Sequence, residues 1–189
     1  GESRAPLVGP VPGLPLRQRA VPQDVRDGVV GARDPGQRHR VRVAADTVVA
    51  ETFDWVHSID RVQVAERLSA QRPGALAPLS VCLQVNVSGE DSKSGVAPYE
   101  LSRLAHAVAA LPRLRLRGLM AIPAPTAGLE AQRVPHRRLR EQLEALRGEG
   151  LDLDTLSAGM SDDLEAAILE GATIVRVGTA IFGSRAASA

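Results

Sequence analysis

The chain has 189 residues, of which 44% are hydrophobic and 24% charged, and its formal net charge is +1. This balance is typical of a globular protein and gives no reason to expect a nucleic-acid or membrane partner. The single cysteine, Cys82, excludes an internal disulfide framework. No apolar run approaches the roughly 18–20 residues of a membrane span, and we expect a reducing cytoplasm as the compartment.

The sequence changes character near residue 46. Residues 1–50 hold eight arginines and six prolines but no Phe, Trp or Tyr. The prolines block any long helix, and the apolar residues follow neither helical nor strand spacing for long. We therefore expect residues 1–45 to be an atypical segment, either disordered or read out of frame, and residues 46–189 to form the folded domain.

From residue 46 onward, helical and strand patterns alternate. Residues 79–87 alternate in polarity as a strand does, whereas Leu101, Leu104 and Val108 recur at helical spacing. Asp60 and Ser161 stand where helix N-caps are expected, and Pro135 is expected to delay the start of its helix. In chain order the sequence predicts a helix to 71, a strand at 79–87, a helix at 98–111, a strand at 114–122, a helix at 130–147, a strand at 153–156, a helix at 162–170, a strand at 173–177 and a last short helix.

Strands separated by helices of this length indicate right-handed crossovers and a parallel sheet. Either a (β/α) barrel or an open doubly wound sheet fits this α/β order. In both folds, ligands bind at the carboxyl ends of the strands. The residues to examine are therefore Asn86, residues 120–122, the turn at 157–161 and the segment at 176–183.

Two of these strand ends have the composition of anion-binding turns. Residues 157–161 and Gly178-Thr179 each lie between a strand and a helix start, where free backbone N–H groups can hold a phosphate. Ordinary strand-to-helix turns are the alternative interpretation. Arg176 either meets an anion or ring nitrogen, or lies in a surface ion pair. Asn86 either points inward or caps the next turn, and Met120 either packs in the core or contacts the ligand.

No arrangement typical of a metal site or of a catalytic nucleophile stands out. His57, His106 and His136 are not spaced as metal ligands with any cysteine or carboxylate. Cys82 lies in the middle of a predicted strand, where an inert core thiol is expected. We therefore predict neither metal ligands nor catalytic residues.

Five blocks of the sequence form a series of motifs. They are FDWVHSIDR at 53–61, QVNVS and DSKSG within 84–95, LRLRGLMAIP at 114–123, LSAGMSDD at 156–163 and VRVGTAIFG at 175–183. In this order they resemble the pyridoxal phosphate homeostasis proteins, which are YggS-like relatives of the alanine racemase N-terminal barrel. The resemblance extends from about residue 47 to 185, nearly three quarters of the chain.

The resemblance implies a (β/α)8 TIM-type barrel, incomplete in this chain, that binds pyridoxal 5′-phosphate (PLP). It places the phosphate at residues 157–161 and 178–179, and Arg176 at the pyridine nitrogen. A guanidinium at that nitrogen disfavours its protonation, which suits cofactor storage better than carbanion chemistry. The cofactor-binding residues that it implies are Asn86, Met120, Ser157, Gly159, Met160, Ser161, Arg176, Gly178 and Thr179.

The resemblance further implies a carrier or regulator in intracellular PLP homeostasis, and we expect no turnover. The family's Schiff-base lysine belongs to an early strand, which we expect upstream of Gly1. Binding by this chain is therefore expected to be weak and non-covalent. The expected partners are the cofactor itself and PLP-acceptor enzymes, and the chain is expected to be a monomer.

Two alternatives remain open. A PLP-dependent amino-acid racemase of the alanine racemase type would need a lysine and a tyrosine as opposed acid and base, and Tyr99 is the single tyrosine. A phosphate-binding barrel with another ligand, or a barrel remnant that binds nothing, is the second alternative.

Overall fold

A computed structural model describes residues 46–89, 94–178 and 181 of the chain. Residues 46–52 are helical and precede the first strand. The further elements are β1 (Trp55–Ile59), α1 (Val62–Gln71), β2 (Leu79–Gln84), a 3-10 turn (Pro98–Glu100), α2 (Leu101–Ala109), β3 (Leu114–Met120), α3 (Leu129–Gly148), β4 (Thr155–Ser157) and α4 (Leu164–Leu169). The predicted atypical segment 1–45 lies outside the described residues, so the domain division at residue 46 stays a prediction.

The four strands form one sheet in the order β1-β2-β3-β4, and every pairing is parallel. A helix lies between each strand and the next, as the crossover connections of a parallel sheet require. The predicted parallel α/β architecture is therefore confirmed. The strand predicted at 173–177 is present only as a bridge, in which Ile174 pairs in parallel with Ser157 beside β4.

One face of the sheet packs against the helices and forms the core. Val81 and Leu83 of β2 are fully buried against it, and Cys82 between them is fully buried as well, so both faces of this strand are covered at its centre. The helices contribute residues at helical spacing to the same cluster. These residues are Ala65 and Leu68 of α1, Leu101, Leu104, Ala105 and Val108 of α2, and Leu139, Leu143 and Leu146 of α3.

The other face of the sheet is concave. In a flat sheet β1 and β4 would lie about 14 Å apart, because neighbouring strands are about 4.8 Å apart. Instead, His57 Nδ1 on β1 lies 2.9 Å from Ser157 Oγ on β4. Arg117 of β3 likewise reaches across β2, and its guanidinium lies 4.7 Å from the centre of the Trp55 ring. Such strong curling is the geometry of a barrel wall.

Two predicted helix caps are wrong. The N-cap of α1 is Arg61, whose backbone is extended, while Asp60 forms an ion pair of 3.4 Å with the Arg61 side chain. The N-cap of α4 is Asp163 rather than Ser161, because residues 161–163 still belong to the turn. In both places the observed cap lies one or two residues beyond the predicted one.

The start of α3 also differs from the prediction. The helix begins at Leu129, and Pro135 lies inside it instead of delaying it. A proline lacks the N–H that would bond the carbonyl four residues earlier, so Pro135 costs α3 one backbone hydrogen bond near its first turns. The helix nevertheless continues to Gly148, since its buried leucines lie further along. Among the helices of the described residues, none is both long and apolar enough to cross a bilayer.

Candidate functional site

The first predicted anion-binding turn, at residues 157–161, lies beside the segment that leads to the second, at the carboxyl edge of the sheet. The backbone N–H of Ala158 donates to the Ile174 carbonyl at 3.0 Å, and that of Arg176 donates to the Gly159 carbonyl at 2.9 Å. These bonds extend the parallel pairing beyond the end of β4. The structure therefore pairs residues 158–159 with residues 174–176, Gly178 follows two residues later, and Thr179 lies outside the described residues.

Gly159 allows the turn after β4 to pass close to α4. Its φ is +91°, in the region that side chains disfavour. A Cβ at this position would also lie 2.6 Å from the Cβ of Ala167. Glycine is thus required at position 159 for two reasons, the backbone angle of the turn and its close contact with α4.

Asp163 stabilises the same turn from its other end. Its Oδ1 accepts a hydrogen bond of 2.6 Å from the Met160 backbone N–H. Its Oδ2 lies 3.0 Å from Nε2 of His136, a residue of α3 that is 1% exposed. This contact was not predicted, because 27 residues separate His136 from Asp163. An aspartate three residues after a glycine-containing turn was the available signal.

Arg176 joins the ends of β3 and β4. Its Nη1 donates to the carbonyl oxygen of Ser157 at 3.0 Å and to Ser157 Oγ at 2.6 Å, and its Nη2 donates to the Ala121 carbonyl at 2.8 Å. The side chain is half-buried, and this burial lowers the pKa of Arg176 from its ordinary value. The guanidinium is therefore a fixed positive group at the carboxyl edge.

Ser157 lies between two side chains. It is fully buried, and its Oγ contacts both Arg176 Nη1 and His57 Nδ1. Burial, with a contribution from the charge of Arg176, lowers the pKa of His57. These contacts give Ser157 a positioning role toward Arg176, and its predicted contact with phosphate stays a prediction. His57 was not among the predicted site residues.

The remaining predicted residues lie at the same edge with different surroundings. Met120 ends β3, is 4% exposed, and pairs in register with Ser157. Asn86 follows β2, and its Oδ1 caps the next turn by accepting the Gly89 N–H at 3.0 Å. Ser161 and Gly178 are half-buried. These positions do not test whether the four residues contact a cofactor, so those contacts stay predictions.

A cavity of about 380 Å³ opens between the loop after β3 and the turn after β4. Apolar groups form much of its wall, including Ile122 and Pro125, and Asp162 and Asp163 add carboxylates. Neither Arg176 nor Gly178 lines it. We therefore do not assign the predicted phosphate to this cavity.

Further along the sheet, a buried thiol on β2 lies near an ion pair whose carboxylate, Asp154, is exposed. Arg117 Nε donates to Asp154 Oδ1 at 2.8 Å, and its Nη2 donates to Oδ2 at 2.5 Å. The hydrogen bonds from Arg117 lower the pKa of Asp154 to about 2. Burial raises the pKa of Cys82 to about 12, which keeps this thiol protonated and unreactive.

These features define the class of protein: a parallel (β/α) barrel of the TIM type with a candidate anion site at the carboxyl ends of its strands. A model of the family described as "Alanine racemase, N-terminal domain" matches residues 38–186. The chain belongs to this family. The match confirms the family resemblance of the sequence, and it begins inside the segment 1–45 that composition sets apart.

Curated relatives share a common name. The chain is 66% identical over 137 residues to the pyridoxal phosphate homeostasis protein of Pseudomonas aeruginosa, covering 72% of this chain and 58% of that protein. It is 56% identical over 138 residues to the protein of that name from Escherichia coli K12, covering 73% of this chain and 59% of that protein. The chain thus spans less than two thirds of the length of these relatives.

A solved structure has the same fold. PipY of Synechococcus elongatus PCC7942, described with PLP bound, superposes with a TM-score of 0.67 at 31% identity. The superposition covers 75% of this chain and 66% of PipY. The fold class predicted from the sequence is confirmed by this match.

Proposed function

We propose that this chain binds PLP non-covalently and acts as a carrier in PLP homeostasis. The observation that carries the proposal is Arg176, a half-buried guanidinium fixed by hydrogen bonds across the ends of β3 and β4. The names of the curated relatives and the PLP-bound PipY structure support the same ligand. They favour homeostasis over the racemase alternative.

The charge of the residues present suits a phosphorylated cofactor, because Arg176 is a half-buried cation and the segment that carries it leads to Gly178. The same segment pairs through Ile174 and Arg176 with Ala158 and Gly159 of the turn that carries Ser161. Phosphate would be held here by backbone N–H groups and the Ser161 hydroxyl, with Arg176 nearby as the positive group.

When bound, PLP supplies an aldehyde and a pyridine ring that acts as an electron sink once its nitrogen is protonated. Arg176 is a permanent cation without acceptor atoms, so at the ring nitrogen it would donate a hydrogen bond and oppose protonation. Ser157 and Ala121 hold that guanidinium in place. Such a site favours storage of the cofactor over its use in carbanion chemistry.

The proposal includes the way in which the carrier is used. We propose a monomer that passes PLP to acceptor enzymes in the cytoplasm. The buried free thiol of Cys82 is consistent with a reducing compartment. Transfer is measured by incubating the loaded chain with an apo-form PLP enzyme and following recovery of that enzyme's activity, against an equal amount of free PLP.

Binding is tested by calorimetric titration of the full chain with PLP, with pyridoxal as the ligand lacking phosphate. We expect saturable one-to-one binding of PLP and much weaker binding of pyridoxal. Ser161→Ala should weaken PLP binding by about tenfold, the effect of one hydrogen bond to a charged group. Ser102→Ala is the matched control, because Ser102 hydrogen-bonds Glu149 beyond the far end of α3. Wild-type chain that does not bind PLP would overturn the proposal.

Lys93, the only lysine of the chain, tests the non-covalent part of the proposal. It lies outside the described residues. Borohydride treatment of the PLP-loaded chain, followed by mass spectrometry, should leave Lys93 unmodified. A stoichiometric covalent adduct that disappears in Lys93→Ala would show that binding is covalent.

A further inference from the structure

A hydrogen-bond chain crosses the concave face of the sheet and ends on His57. Arg176 Nη1 lies 2.6 Å from Ser157 Oγ, and the same oxygen lies 2.9 Å from His57 Nδ1. The three residues come from the segment after α4, from β4 and from β1. The chain of contacts therefore links the two outermost strands of the sheet.

The chemistry of the three groups fixes one of the two contacts. A guanidinium only donates, so Ser157 Oγ accepts from Arg176. The direction of the contact between Ser157 Oγ and His57 Nδ1 depends on the tautomer of the imidazole. With Nδ1 unprotonated, the hydroxyl proton of Ser157 goes to a neutral His57, which accepts it at Nδ1 and carries its own proton on Nε2. With the proton committed to His57, the lone pairs of Oγ face Arg176.

We propose that His57 is a positioning residue, which through Ser157 fixes the Arg176 guanidinium in the orientation that receives the ring of the cofactor. This inference rests on the proposed function, because Arg176 matters for affinity only if PLP binds beside it. Protonated His57 would instead donate to Ser157 Oγ, which turns the hydroxyl proton away from His57 and changes the direction of the lone pair that faces Arg176, and it would add a second positive charge near the guanidinium.

The electrostatic surroundings support a neutral His57. Burial lowers its pKa, and Arg176 acts in the same direction. The rings of Trp55 and His57 also meet in a T-shaped arrangement, with 5.7 Å between ring centres, which adds to the burial of the imidazole. The other charged or titratable groups of this interior are Cys82 on β2, Arg117 on β3, Asp154 before β4, and Asp163, which acts on Arg176.

Two substitutions of His57 test its hydrogen-bond acceptor and its aromatic ring independently. Asparagine can present its side-chain oxygen near the place of Nδ1, whereas phenylalanine keeps the ring and removes the acceptor. We expect His57→Phe to weaken PLP binding in calorimetry by about three- to tenfold, the effect of one hydrogen bond, and His57→Asn to restore most of it. Equal affinities of His57→Phe and wild type, both folded by thermal melting, would overturn the inference.

The pH dependence of PLP affinity provides a second test, because a purely structural role of His57 would not change it. Since PLP titrates by itself, the quantity measured is the ratio of wild-type to His57→Asn affinity. This ratio should be constant at neutral pH and fall in acid, as His57 becomes protonated. A ratio that does not change with pH would contradict the proposed role, even if His57→Phe fails to fold.

A ligand-free measurement distinguishes this inference from the proposed function. Nitrogen-15 NMR of the wild-type imidazoles, with His57 assigned from its loss in His57→Asn, should show the neutral form with its proton on Nε2. A proton on Nδ1 at neutral pH would overturn the hydrogen-bond chain. If the chain is intact and wild type does not bind PLP, the proposed function fails instead.

Discussion

Gly159 illustrates, at the scale of one residue, how the site depends on backbone geometry. We expect Gly159→Ala to lower the free energy of unfolding by about 1–3 kcal/mol, since the methyl group combines a strained backbone with overpacking. The strain follows from the φ of +91° and the overpacking from the 2.6 Å approach to Ala167. Urea unfolding followed by circular dichroism measures the loss. PLP binding should weaken as well, because the turn carries Ser161.

Gly148 supplies the matched control for this prediction. It ends α3, no atom lies within 4 Å of the place of its Cβ, and its φ is not in the positive region. Gly148→Ala should leave stability unchanged or raise it by up to about 1 kcal/mol, because alanine restricts the unfolded chain. Equal effects of the two substitutions would show that the turn at Gly159 is not constrained.

The sequence could predict the turn after β4 but not the partners of its side chains. Ser157 and Ser161 flank a glycine between a strand and a helix, and this local order is enough to indicate an anion-binding turn. The contact of His57 with Ser157 spans 100 residues and depends on how strongly the sheet curls. Sheet curvature is a property of the assembled wall, so no local pattern indicates it.

At the scale of the elements, a buried carboxylate joins α4 to α3. Glu170 follows α4, and its side chain is 2% exposed. Three arginines of α3 surround it: Arg133 at 2.8 Å, Arg137 at 3.2 Å and Arg140 at 3.2 Å. Because α4 follows directly on the turn at 157–161, this ion cluster holds the helix that supports the candidate site.

Replacing the carboxylate tests this connection. Glu170→Gln should lower the free energy of unfolding by about 1–3 kcal/mol near neutral pH, because charge-assisted hydrogen bonds are lost. Thermal melting measures the change. Glu165→Gln is the control, since Glu165 lies exposed on the same helix. A loss no larger than that of the control would contradict the connecting role.

The same pair of variants has a defined pH dependence. Burial alone would raise the pKa of Glu170, but the hydrogen bonds from Arg133 and Arg137 outweigh it and lower the pKa below its ordinary 4.5. A carboxyl whose pKa is lower in the folded state stabilises the fold above its unfolded pKa and loses that contribution as pH falls. The difference between wild type and Glu170→Gln should therefore shrink as the pH drops below about 4.5.

The elements themselves were largely predictable, whereas their ends were not. Val81 and Leu83 alternate along β2, and Leu139, Leu143 and Leu146 recur along α3, so periodicity gave the type and order of these elements. The start of α3 depends on its packing, which carries the helix through Pro135. The strand at 173–177 is reduced to a bridge at Ile174, a matter of pairing with β4 that composition does not indicate.

At the scale of the whole molecule, Cys82 reports whether the sheet is intact. It is the only cysteine of the chain, and it is fully buried on β2, an inner strand of the sheet that pairs with β1 and β3. Burial raises its pKa to about 12, so the thiol is both inaccessible and protonated. A reagent can reach it only when the sheet opens.

We expect a thiol reagent to label Cys82 of the native chain at least about a hundredfold more slowly than in urea at about pH 8, since labelling requires opening. Saturating PLP should slow labelling further, because a ligand that binds only the folded state stabilises it. Pyridoxal at the same concentration is the control for the aldehyde, and Cys82→Ser shows that the signal comes from this thiol. Native labelling as fast as in urea would mean that the four strands do not form a stable sheet. If labelling is slow and PLP does not slow it further, the sheet is folded but PLP does not stabilise it. Opening of the sheet would then be independent of the site at its carboxyl edge.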